Sequence, residues 1–208
     1  MGRRLGWVLL VLLPVAGFGE TAREQYPQRL AVAREAYFKV IETNDRGADK
    51  AAHAALDALW AEYPGDAVVK AYRGSLELLD AAHNWAIWNL PKQSAEGLAL
   101  LDEAVAQAPD EPEARFLRAA TCWHLPGFYH RRTQAEADFE LLAGRAERDA
   151  KDGRLKPELA AAAENYWGQV LAGRKDWAGA RAAWQAAVRI APGSPAGVEA
   201  AKRLGEMR

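Results

Sequence analysis

The chain has one cysteine and three serines in 208 residues, and it carries no excess of either charge, with 27 basic and 28 acidic side chains. A single cysteine cannot close an intramolecular disulfide, so stability must come from a packed core, for which the length is ample. Near-neutral charge excludes a generic nucleic-acid binder, whose affinity comes mainly from surplus positive charge. Ser75, Ser94 and Ser194 lie outside any glycine-flanked nucleophile elbow. There is no HExxH, no CxxC and no glycine-rich loop after a strand, and the four histidines lack common zinc-ligand spacing. His124 and His130 stand six apart across a proline turn, a poor metal clip. Acid pairs such as Asp110–Glu111 fit helix starts through the helix dipole. Cys122 falls inside an apolar helical pattern and reads as a small core residue. The sequence predicts no enzyme, no cofactor and no metal.

Long apolar runs are also scarce beyond the first 19 residues. There, Arg3 and Arg4 precede the run Leu5 to Phe18, and Gly17 and Gly19 follow at plausible −3 and −1 positions for signal peptidase. This is the pattern of a secretory signal peptide, too short to span a bilayer comfortably. It predicts residues 1–19 as signal and 20–208 as the domain, in a bacterial periplasm. Any membrane attachment is through the signal segment, if it stays uncleaved.

What the chain does have is Ala, Leu, Glu and Arg, strong helix formers, with little period-two alternation. Turn signals punctuate them: DRGAD at 45–49, YPGD at 63–66, APDEP at 108–112, KDGR at 151–154 and APGSP at 191–195. Between the breaks, apolar residues recur on one helical face, as in Ala52, Leu56, Leu59 and Tyr63, or Trp177, Ala180, Trp184, Ala187, Val188 and Ala191. The fold class is all-α. Helix pairs are predicted at 27–63, 66–108, 111–150 and 157–191, with a capping helix at 194–207.

The last pair places Gly168, Leu171, Ala180, Trp184, Ala187 and Pro192 so that it resembles a tetratricopeptide (TPR) repeat, a helix–turn–helix of ~34 residues. Gly168, Ala180 and Ala187 match its small packing positions, Trp184 its aromatic site and Pro192 its terminating proline. Glu164 and Trp167 depart from it. Ala52, Leu56, Leu59 and Pro64 echo the same spacing, as do Ala104 with Pro109 and Ala135 with Phe139. The resemblance implies a solenoid of stacked antiparallel helix pairs that binds a peptide or protein surface along a concave face.

Two aromatic inserts interrupt the repeat where a first helix turns into a second. HNWAIWNLPK (83–92) holds Trp85 and Trp88, and CWHLPGFYHRR (122–132) holds Trp123, Phe128 and Tyr129 before a basic stretch. Equivalent turns of stacked pairs lie along one edge, so these inserts are expected to be neighbours. They can be hydrophobic filling at the turns, or the wall of an apolar site with His130, Arg131 or Arg132 at its rim. Arg115 and Arg118, three apart on the preceding helix, are rim candidates or surface charges. The expected function is a periplasmic scaffold that binds a protein partner. The alternative is a carrier for an apolar small molecule, such as a lipid or polycyclic isoprenoid, serving an envelope transporter.

Overall fold

A computed structural model describes residues 22–43, 45–83 and 90–207. The predicted signal segment, Trp85 and Trp88 lie outside the described residues. Within them the chain is all-α, with no strand: α1 (Ala22–Thr43), α2 (Arg46–Glu62), α3 (Ala67–His83), α4 (Leu90–Gln107), α5 (Pro112–His124), α6 (Arg132–Ala143), α7 (Ala146–Lys151), α8 (Pro157–Gly173), α9 (Trp177–Ile190) and α10 (Pro195–Glu206). No described helix is long and apolar enough to cross a membrane.

Local chemistry sets most of these boundaries. Asp45 caps α2 by accepting from the amides of Gly47 and Ala48, Asp176 caps α9 through Gly179, and Ser194 caps α10 through Gly197. Asp66 accepts from the Val69 amide at the start of α3. Proline occupies the first turn of α5, α8 and α10, where its missing amide hydrogen costs nothing. Two boundaries differ from the sequence expectation. The first helix starts at Ala22 and runs through Pro27. The second half of the third pair, whose sequence lacks a terminating proline, breaks at Gly144 into α6 and the short α7.

Consecutive helices pack as pairs: α1 with α2, α3 with α4, α5 with α6, and α8 with α9. The first helices also touch in series, α1 to α3, α3 to α5 and α5 to α8, while α2, α4 and α6 each reach the first helix of the next pair. Helix α10 closes the end by packing on α8 and α9.

The second helices share one buried register. Positions i, i+4 and i+7 are Ala52, Leu56 and Leu59 in α2; Gly97, Leu101 and Ala104 in α4; Ala135, Phe139 and Leu142 in α6; and Ala180, Trp184 and Ala187 in α9. All twelve are buried. The first of each trio is small, and at Gly97 the reason is the close approach of α3. A methyl group on Gly97 would sit 2.7 Å from the Gly74 carbonyl oxygen of α3.

Polar ties run across the first helices. Tyr37 of α1, Ser75 of α3 and Thr121 of α5 are joined hydroxyl to hydroxyl at 2.6 and 2.7 Å. The buried Glu113 of α5 accepts from Arg34 Nε at 2.6 Å and from the Tyr72 hydroxyl at 2.8 Å, linking α5 directly to α1 and α3. A buried carboxylate is tolerated only with such partners. They also force a tight stack, because α1 must come within side-chain reach of α5.

Candidate functional site

The turn between α5 and α6 gathers most of the aromatic residues singled out from sequence. Trp123, the penultimate residue of α5, meets Phe139 and Tyr166 edge-on, at centroid distances of 5.8 and 5.9 Å. Phe139 and Tyr166 stack at 4.8 Å. The Arg132 guanidinium lies 3.1 Å from the centre of the Trp123 ring, and its Nη1 donates to the Trp123 carbonyl at 3.2 Å. Trp123 is therefore half-buried against its own chain, an arrangement stabilised by ring edges and a cation–π contact. His124 Nε2 is 2.8 Å from the Tyr166 hydroxyl. Loss of water and the Arg132 charge together hold the His124 imidazole below its usual pKa.

Beyond Trp123, a single 3₁₀ turn (Gly127–Tyr129) changes the chain direction. His130 ends it with φ of 54°, a left-handed conformation that histidine adopts more readily than most residues. Its side chain is exposed. Tyr129 points inward and donates its hydroxyl hydrogen to the buried Ser94 of α4 at 2.8 Å. Arg131 reaches α4 as well, through Asp102 at 2.8 Å. Ser94 lies two residues past the first aromatic insert, so the second insert is anchored beside that insert's exit. Phe128 is left 72% exposed and rests against Tyr129, with ring centroids 4.6 Å apart.

Arg115 does not join this turn, and Arg118 meets it only through Asp102, which it reaches at 3.4 Å and shares with Arg131. Both face Asp138 of α6, which is only 2% exposed. Arg118 grips its carboxylate with two donors, Nε at 2.8 Å and Nη2 at 2.9 Å, and Arg115 adds Nη1 at 2.6 Å. Arg115 also donates to the Pro109 carbonyl at 2.7 Å. These arginines lock α5 to α6, as bidentate guanidinium–carboxylate pairs do. Cys122, one residue before Trp123, is buried, and desolvation pushes its thiol up to about 11.

Sequence reasoning missed two features. An open cleft of about 580 Å³ lies at the C-terminal end between Trp177, Arg181, Trp184, Arg203 and Met207. Trp177 and Trp184 share a helical face, but α10 covers only the inner one, and Trp177 is 55% exposed. The second is a cluster of Asp49, His53 and Asp80, hidden because its residues come from two helices.

Comparison with known proteins adds no relative: no family model, no curated protein and no solved structure matches this chain.

Proposed function

We propose that this chain is an exported, TPR-like interaction protein that holds a partner polypeptide in an envelope complex. The shared register of α2, α4, α6 and α9 supports the repeat reading, as do first helices that touch in series. Both are what stacking of TPR-like pairs requires. Export rests on the sequence pattern of residues 1–19.

Phe128 carries the binding reading. A large aromatic ring that is 72% exposed stays wetted at a free-energy cost unless something covers it. Its turn is held in place by the Tyr129–Ser94 hydrogen bond and the Arg131–Asp102 pair, so the ring is presented on a pre-organised support. Arg34, Tyr72 and Glu113 near α1 are tied to one another, whereas the Phe128 ring on the α5–α6 edge is open to a partner.

The test is recovery of partners from the native envelope with wild type and Phe128→Ala. The reading expects the recovered polypeptide to bind the variant about tenfold or more weakly, as at an interface hot spot, with thermal stability unchanged. An identical set of bound polypeptides would count against it.

A second reading is carriage of an apolar small molecule, favoured by the C-terminal cleft walled by Trp177, Trp184 and Met207. Its volume lies within the range of ligand sites. On that reading, Trp177→Ala removes an organic-extractable ligand and leaves polypeptide partners in place.

A further inference from the structure

Asp49 and His53 stand one turn apart on α2, and Asp80 faces them from α3. His53 Nε2 lies 2.7 Å from Asp80 Oδ2 and 3.8 Å from Asp49 Oδ1. One donor atom from each residue falls within 4.8 Å of the other two. The three side chains are 39%, 35% and 26% exposed in chain order, so the cluster is shielded on one side and open to water on the other.

Two carboxylates thus converge on one imidazole nitrogen. A neutral imidazole offers that nitrogen a single hydrogen, which satisfies one carboxylate and leaves the other facing a like charge. A cation of charge +2 placed among the three removes the conflict.

We propose that Asp49, His53 and Asp80 form a binding site for a divalent transition-metal ion of the zinc class, held by one imidazole nitrogen and two carboxylate oxygens. Metal–ligand bonds of about 2.0–2.2 Å place neighbouring donors roughly 3.3 Å apart. The two separations from His53, 2.7 and 3.8 Å, bracket that spacing, and the carboxylates lie within 4.8 Å of each other, so side-chain rotation alone is needed to gather the three donors. The open side supplies water to complete the coordination. A nitrogen ligand favours zinc, cobalt or nickel over magnesium and calcium, which select all-oxygen sets. The ion would join α2 to α3, clamping the first helix pair to the second. This site does not depend on what the chain binds elsewhere.

The test is titration of tag-free protein with Zn²⁺, with bound metal counted after dialysis and thermal stability measured in parallel. One equivalent should bind and raise the melting temperature. His53→Ala and Asp80→Asn should each weaken binding about tenfold or more, while His130→Ala, on the exposed α5–α6 turn, leaves it unchanged. Excess Mg²⁺ should not displace the zinc. Asp49→Asn removes the most distant ligand and keeps the test valid where a His53 variant fails to fold. No binding by the wild type, or binding that survives all three ligand substitutions, overturns the proposal.

Discussion

Trp184 lies flat against the bare backbone of Gly168 and donates its indole hydrogen to the Asn165 carbonyl at 3.2 Å. A methyl group at 168 would stand 2.6 Å from Cδ1 and 2.9 Å from Cε2 of the ring, so the whole indole must move. Alanine is otherwise the better helix former by about 1 kcal/mol. Overpacking against a buried ring costs roughly 1–3 kcal/mol and outweighs it. Gly168→Ala should therefore destabilise the chain. Gly173→Ala, with nothing within 4 Å of the added methyl, should not. Urea unfolding midpoints decide between them.

Asp138 is the single buried acceptor for two arginines. Removing it takes the buried carboxylate from both guanidinium groups at positions only 12% and 13% exposed, leaving Arg115 the Pro109 carbonyl and Arg118 a longer contact to Asp102 at 3.4 Å. Asp138→Ala should cost roughly 3 kcal/mol, the range for breaking a buried pair from one side. Arg115→Ala should cost less, since Arg118 keeps its two-donor grip. A change within about 0.5 kcal/mol for Asp138→Ala, the size of an ordinary surface substitution, would contradict this.

Glu164 gives the fold a pH dependence. It is 7% exposed, and burial pushes its carboxyl up to about 7, with Arg189 opposing and Glu147 adding. The folded state then holds a proton that the unfolded state has lost, so stability falls as pH rises from about 4.5 to 7. Above that window the charged form costs up to roughly 3 kcal/mol. Glu164→Gln should gain most over wild type at pH 8 and little at pH 4. Unfolding curves at both values test the sign.

Cys122 should resist modification in the folded state, because it is buried and its thiolate is strongly disfavoured. Reaction with a thiol reagent should proceed at the rate of unfolding and become immediate in denaturant. Rapid labelling of native protein would show that α5 opens readily.

Most of the helix boundaries were legible because their causes are local. Asp45, Asp176 and Ser194 act on amides two or three residues away, and Pro64, Pro109 and Pro192 follow the helices they end. The Gly144 break was not, since glycine within a helical pattern gives no firm stop. The ties that position the candidate site were invisible for a different reason. Arg34 and Glu113 are 79 residues apart, and Arg118 finds Asp138 across 20. Nothing in the linear pattern separates such arginines from solvated ones or from ligand-binding ones. The Asp49–His53–Asp80 cluster escaped because counting histidine spacings overlooks carboxylate ligands, and Asp80 joins only when α3 packs on α2.

We propose that this helical chain serves by holding another polypeptide. Native mass spectrometry of the protein purified gently from its own envelope, followed by organic extraction, tests it directly. The expected result is a complex with a second polypeptide that the Phe128→Ala variant loses. A discrete extra mass that moves into the organic phase, with no polypeptide bound, would contradict it.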